Sequence, residues 1–219
     1  MPEVAMILAA GRGKRMRPLT DTTPKPLLPV CGEPLLGRHL RRLRNAGIQR
    51  VVVNGAWLKA QIEAYVTGRD WGMEVIFSPE PPGGLETAGG IVRALPWLGE
   101  RPFIVVNGDV WTDFDFASLP DQVEAAHLVL VSSPPHNPHG DFGLENGKVL
   151  PEGPYTFAGI SVLSPALFAG LDDRPAPLAP LLRSAMARGA VTGRLHEGIW
   201  HDVGTPERLR DLEKRLGCA

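Results

Sequence analysis

The 219-residue chain is nearly without cysteine, poor in aromatic residues and almost neutral. Two cysteines, Cys31 and Cys218, are too few for a disulfide framework or a metal knuckle, so a reduced, cytoplasmic protein is expected. Lysine and arginine number 23 against 24 aspartates and glutamates, a formal charge of −1. No cluster of five or six like charges occurs, which excludes a basic field for nucleic acid and leaves any anion to be held locally. No apolar run reaches the roughly 20 residues that span a bilayer, and Met1-Pro2-Glu3 lacks the basic-then-apolar layout of a signal peptide. A soluble protein with no membrane partner is the expectation. His127, His136 and His196 stand at no metal-ligand spacing from one another. Trp57, Trp71 and Trp97 are expected to pack rather than to stack on a ligand.

Glycine and proline are plentiful, at 25 and 22 residues, and they punctuate short apolar runs. Val4–Leu8, 50–54, 74–78, 103–107 and 127–131 read as buried strands. Between them, Leu36, Leu40 and Leu43 share one helical face before Gly47; Ile62, Tyr65 and Val66 suggest a second helix, and 87–95 a third. Alternating strands and helices with continuously apolar strands argue for an α/β fold, a mostly parallel central sheet with helices on both faces. Later, Asn146-Gly147 between apolar pairs signals a hairpin. The 155–163 stretch reads as a strand and 178–188 as a helix. Thr205-Pro206 reads as an N-cap with proline at the first helical position, opening a helix through Leu216. The length fits one domain over 1–219, with no internal repeat or linker.

The first strand opens directly into Ala9-Ala10-Gly11-Arg12-Gly13-Lys14-Arg15-Met16-Arg17-Pro18-Leu19-Thr20. Gly11 and Gly13 carry no Cβ, so backbone N–H groups can approach an anion closely, and Lys14, Arg15 and Arg17 add cations. That combination suits a triphosphate. Neither common glycine-loop template fits, since Met16 stands where the dinucleotide fingerprint needs a third glycine, and Gly-Lys-Ser/Thr is missing. Just beyond, Pro24-Lys25-Pro26-Leu27 stiffens the backbone around one lysine. Two aspartates also stand out. Asp109 follows a strand and Asn107-Gly108; Asp202 precedes Val203-Gly204-Thr205 and a helix. The Asp109 carboxylate is expected at the sheet's open edge; Asp202 alone reads as a turn residue, but two carboxylates plus substrate phosphates are enough for Mg²⁺.

Leu-Ala-Ala-Gly-x-Gly-x-Arg-Met-x-Pro-Leu-Thr followed by Pro-Lys-Pro-Leu resembles the signature of sugar-1-phosphate nucleotidyltransferases, the NDP-sugar pyrophosphorylases. The resemblance covers nearly the whole chain and implies a Rossmann-like three-layer fold. It leaves no room for the carboxy-terminal left-handed β-helix of some relatives. It implies attack of a sugar 1-phosphate on the α-phosphorus of a nucleoside triphosphate, with pyrophosphate leaving. Asn-Gly-Asp and Trp-x-Asp-Val-Gly-Thr then assign Asp109 and Asp202 to the metal, Mg²⁺. Arg15 is expected on the leaving pyrophosphate and Lys25 on the α-phosphate or sugar phosphate. Ala10, Gly11, Gly13, Lys14, Thr87 and Asn107 are expected around the nucleotide. Glu80 stands where relatives place a residue accepting the pyrimidine N3–H; a carboxylate only accepts, so it suits uracil, thymine or guanine and not cytosine N3. Gly140, in the His139-Gly140-Asp141-Phe142 turn, is expected against the sugar phosphate, with Asn54 and Glu152 as weaker candidates.

Within the family, the resemblance is closest to the bacterial N-acetylmuramate-1-phosphate uridylyltransferases of cell-wall recycling. Asn107-Gly108-Asp109-Val110-Trp111-Thr112-Asp113, Gly140-Asp141-Phe142 and Leu178-Ala179-Pro180-Leu181-Leu182-Arg183 carry it. It implies UTP and N-acetylmuramate 1-phosphate as partners, and a monomer or small homo-oligomer. Mannose-1-phosphate guanylyltransferases share the glycine turn and a Thr-Ala-Gly-Gly loop and form the competing enzyme reading. A nucleotide-sugar-binding regulatory subunit is the non-enzyme alternative; it would be expected to lose Asp109, Asp202, Arg15 or Lys25, and all four are present.

Overall fold

The computed structural model describes residues 1–218. Along the chain, β1 (Val4–Leu8), β2 (Pro29–Val30), β3 (Glu33–Pro34), α1 (Leu35–Asn45), β4 (Arg50–Gly55), α2 (Lys59–Thr67), β5 (Glu74–Pro79) and α3 (Glu86–Leu98) come first. They are followed by β6 (Phe103–Asn107), β7 (Val110–Thr112), β8 (Ala126–Ser132), β9 (Phe142–Glu145) and β10 (Lys148–Leu163). Then come α4 (Ala179–Ala187), β11 (Val191–Leu195), β12 (Trp200–Asp202) and α5 (Pro206–Leu216).

The main sheet has the strand order β11-β8-β10-β6-β1-β4-β5, with β9 paired to β10. β6, β1, β4 and β5 run parallel, as do β11 and β8, while the long β10 lies antiparallel to its neighbours. Apolar alternation sets the layers, because successive side chains leave a strand on opposite faces. Met6, Val52 and Val105 face Ile91 and Ala94 of α3 and share a core with Leu182 and Ala185 of α4. Ala5, Ile7, Val51 and Val53 face Leu36, Leu40 and Leu43 of α1 with Ile62 and Val66 of α2. Helices therefore cover both faces of a mostly parallel central sheet. A third, smaller core gathers Met16, Val30, Trp111, Val203, Leu209 and Leu212 under α5. Met16, fully buried there, anchors the turn after β1 where another glycine would anchor nothing.

Local chemistry sets the later boundaries. The Thr205 hydroxyl accepts the Arg208 N–H at 3.3 Å and caps α5. Asn146 and Gly147 both have positive φ, as a two-residue hairpin turn requires. The two expected strands around Pro151 are one irregular strand, β10, whose pairing register shifts twice. Short pieces escape periodicity: single-turn 3-10 helices at Lys14–Met16, Leu19–Asp21 and Lys25–Leu27, and the small β7–β12 sheet that pairs Asp202 with Val110.

Cys31 and Cys218 are joined by a disulfide with their Cα atoms 5.4 Å apart, which corrects the expectation of two reduced thiols. The reason is tertiary. Val30 and Leu212 share the third core, so Cys218, two residues past the end of α5, falls beside the β2–β3 turn. No helix among the described residues is long and apolar enough to cross a membrane.

Candidate active site

Parallel strands deliver their carboxyl ends to one edge of a sheet, where ligands of such folds bind. Here the ends of β1, β4 and β6 and the segments following β1, β5 and β6 enclose a cavity of about 320 Å³. Ala10, Gly11, Lys25, Glu80, Thr87, Asn107 and Asp109 all line it, as the sequence predicts, and Asn54 joins them. The N–H groups of Gly11, Arg12 and Gly13 meet no acceptor among the described residues, leaving a short row of donors for an anion. Gly13 itself does not line the cavity. Its φ of +65° makes the turn, and its carbonyl accepts the Thr20 hydroxyl at 2.8 Å. Lys14 and Arg15 lie exposed on the 3-10 turn beyond. Sequence reasoning overlooked Arg12, which lines the cavity with its guanidinium 3.2 Å from the Trp57 ring centre. Trp57 is thus a platform for a cation as well as a packing residue, and its indole N–H donates to the Thr20 carbonyl at 2.9 Å. Periodicity carries no signal for that pair.

At the other end of the cavity a directional chain of hydrogen bonds is buried. The Ala9 N–H donates to Asn54 Oδ1, and Asn54 Nδ2 donates to Glu80 Oε1, both at 2.6 Å. The second Glu80 oxygen accepts the Leu85 N–H at 2.8 Å. Asn54 and Glu80 are each only 2% exposed, so Glu80 is not a solvated loop acid. Asn54, expected near the sugar phosphate, lines this cavity between Ala9 and Glu80, because β4 adjoins β1 and β5 and ends opposite Ala9.

The two aspartates are neighbours through the β7–β12 sheet, where the Val203 N–H donates to the Asp109 carbonyl at 2.9 Å. Each carboxylate is met by a cation. Lys25 Nζ, a largely buried ammonium, lies 2.6 Å from Asp109 Oδ2. Arg208 Nη1 lies 2.6 Å from Asp202 Oδ2, and His136 Nε2 lies 3.0 Å from the same Nη1 and 3.5 Å from the same Oδ2. Asp109 lines the nucleotide cavity, whereas Asp202 lines a separate one of about 730 Å³ with His136 and Arg208. Burial first, then the Arg208 charge and more weakly that of Arg15, hold the His136 imidazole below its ordinary pKa. His136, expected to be an ordinary histidine, therefore belongs to this cluster. Asp202 Oδ1 is buried and has no hydrogen-bond partner, an open ligand position on a carboxylate. No group of three or more histidine, cysteine or acidic side chains converges among the described residues. The chain thus offers two carboxylates, a donor set that suits Mg²⁺ when substrate phosphates complete it.

A third cavity, of about 470 Å³, shares Leu8, Glu86, Thr87 and Asn107 with the nucleotide cavity and continues from it. Phe142, Phe157 and Leu182 make it apolar, and the expected hairpin reaches it through Phe142. Gly140 and Glu152, expected against the sugar phosphate, are not among the residues that line it. Gly140, at φ +68°, packs on the backbone of residues 153–155, and a Cβ there would meet the Gly153 carbonyl oxygen. Glu152 is exposed on the bulged part of β10.

This geometry has known counterparts. The Nucleotidyl transferase family model matches residues 4–150. The chain is 53% identical to an N-acetylmuramate alpha-1-phosphate uridylyltransferase of Neisseria meningitidis serogroup B, over 98% of both chains. It is 36% identical to one of Caulobacter vibrioides, over 100% of this chain and 98% of that one. A mannose-1-phosphate guanylyltransferase catalytic subunit beta of Danio rerio is 30% identical, and the match spans 93% of this chain but 61% of that protein. The inositol-1-phosphate CTP transferase of T. maritima has the same fold, with a TM-score of 0.81 at 18% identity over 98% and 96% of the two chains. A glycine turn over the end of the first strand, a lysine on an aspartate, and this match over most of the length make the chain a member of the nucleotidyl transferase family.

Proposed function

We propose that the protein transfers a uridylyl group from UTP to N-acetylmuramate α-1-phosphate, giving UDP-N-acetylmuramate and pyrophosphate. The observation that carries this reading is the 53% identity over 98% of both chains to an enzyme of that name. The guanylyltransferase relatives are less similar and about 60% covered. A non-catalytic subunit is disfavoured by the presence of Arg15, Lys25, Asp109 and Asp202 together.

The sugar phosphate is a phosphate monoester with its second pKa near ~6, so the nucleophile is ionised at neutral pH and needs no general base. The task is to bring two polyanions together and to stabilise charge at the α-phosphorus. The free N–H groups of Gly11 to Gly13, with Arg12 and Arg15, receive the triphosphate and hold the leaving pyrophosphate. Lys25 stands between that turn and Asp109, in reach of the α-phosphate and the incoming oxygen. Glu80, fixed by two donors, keeps a lone pair for the uracil N3–H. Asp109 and Asp202 would hold Mg²⁺, which would supply charge neutralisation at the reacting phosphates. A reaction that consumes UTP supports a cytoplasmic location.

The test is a panel of five nucleoside triphosphates against several sugar 1-phosphates, read by pyrophosphate release with and without Mg²⁺. N-acetylmuramate 1-phosphate with UTP should give the highest kcat/KM. A higher value for mannose 1-phosphate with GTP would overturn the assignment while leaving the nucleotidyl transfer in place.

A further inference from the structure

An N-acetylmuramate differs from an N-acetylglucosamine by a lactyl ether that ends in a carboxylate, and none of the roles above accounts for that charge. The cavity continuing from the nucleotide site is the space left for a sugar, and its lining is nearly uncharged. Glu86 is the one carboxylate that lines it, and Glu86 is shared with the nucleotide cavity, so it stands at that end. At the other end, Phe142 carries a guanidinium near its ring, with Arg183 Cζ 5.8 Å from the centroid. Arg183 follows Leu182 on α4 and lies one turn beyond Ala179, and both of those line the cavity. Among the described residues it pairs with no carboxylate, unlike Arg50, Arg93 and Arg208. The cavity beside Asp202 is a poorer host for an anion. Four carboxylates, Glu197, Asp202, Glu207 and Asp211, line it against two guanidiniums, Arg208 and Arg215, and Arg208 is engaged by Asp202.

We infer that Arg183 is a specificity-determining residue that receives the carboxylate of the lactyl group at the mouth of the apolar sugar cavity. This rests on the muramate reading above and deepens it. The apolar walls at Phe142, Phe157 and Leu182 take the lactyl and acetamido methyl groups, which orients the carboxylate outward to the guanidinium. A guanidinium suits the task because its planar fork matches a carboxylate with two N–H donors, which a lysine ammonium cannot reproduce.

The experiment uses the full chain and its Arg183→Gln and Arg183→Lys variants with UTP and Mg²⁺. It compares kcat/KM for N-acetylmuramate 1-phosphate with that for N-acetylglucosamine 1-phosphate, and calorimetric binding of the two UDP-sugars without turnover. The muramate-to-glucosamine ratio should fall fivefold or more in Arg183→Gln and recover in part in Arg183→Lys, with the matching loss in UDP-N-acetylmuramate affinity. A smaller change in the ratio, or an equal loss for both sugars, would overturn the role of Arg183 and leave the muramate assignment standing. A wild-type enzyme that does not use N-acetylmuramate 1-phosphate would overturn both.

Discussion

Replacing Glu80 by glutamine removes one charge and keeps the shape, yet the structure predicts a clear loss. The Ala9 N–H can only donate, so it fixes Asn54 with its oxygen toward Ala9 and its NH₂ toward Glu80. The Leu85 N–H can only donate as well, and it points at the other oxygen of Glu80. Both side-chain oxygens of residue 80 must therefore accept, and a glutamine has only one acceptor. Turning Asn54 over offers no escape, because its NH₂ would then face the Ala9 N–H. One buried donor is left facing another in either rotamer, a cost of roughly 1–3 kcal/mol. For a chain of this length that lowers Tm by roughly 2–12 °C, at about 2–4 °C per kcal/mol.

Urea denaturation followed by circular dichroism, together with a thermal scan, measures the loss. The same variant separates two uses of the carboxylate. If it also reads uracil N3–H, its kcat/KM ratio for UTP over CTP narrows; if it only holds the backbone, KM rises in parallel for every triphosphate. A Tm within about 1 °C of wild type would refute the directional chain, because a neutral substitution is incompatible with two obligatory donors.

Asp109→Asn and Asp202→Asn should each lower kcat by about 10²-fold or more with the fold retained, since charge neutralisation at the phosphates contributes several kcal/mol. Near-normal turnover that still requires Mg²⁺ would move the metal elsewhere. Arg15→Ala and Lys25→Ala should lower kcat more than they raise KM for the triphosphate, because their charges act where negative charge develops. Steady-state kinetics showing only a raised KM would make them docking residues. Burial holds the His39 imidazole down at about 4, and α1 keeps it neutral beneath β7. Its pKa is higher in the unfolded chain, so the stability is fully present above pH 6.5 and is lost as pH falls toward 4, by roughly 3 kcal/mol. A His39→Met variant should lose that part of the slope in denaturation curves between pH 7 and 4, and an unchanged slope would clear His39.

Strands were legible because buried parallel strands are apolar on both faces, and the β1, β4, β5 and β6 boundaries follow directly from their runs. Thr205 and the Asn146-Gly147 turn were legible because each residue type has a specific backbone task. Lys25 and Asp109 were found as separate motifs, but their 2.6 Å contact spans 84 positions, and no local pattern encodes such a distance. Asn54's place between Ala9 and Glu80 was illegible for the same reason. Its role depends on which strands adjoin β4, and strand order is invisible in a run of valines. The disulfide escaped a count of two cysteines because it depends on α5 packing beside β2.

The pairing pattern also explains how a chain of net charge −1 can receive two polyanions. Lys25 and Arg208 each hold an aspartate, so these four side chains are together neutral before substrate arrives. Unpaired cations there would repel one another, and a lone pair of carboxylates would repel phosphate. Pairing them removes both costs. Phosphate oxygens would give the lysine and the guanidinium new acceptors and would free the two carboxylates, the groups that would hold a divalent cation. Asp202 Oδ1, buried and without a hydrogen-bond partner, would be the atom to take the cation, so Asp202→Asn is expected to weaken Mg²⁺ retention even where Arg208 still holds the side chain in place.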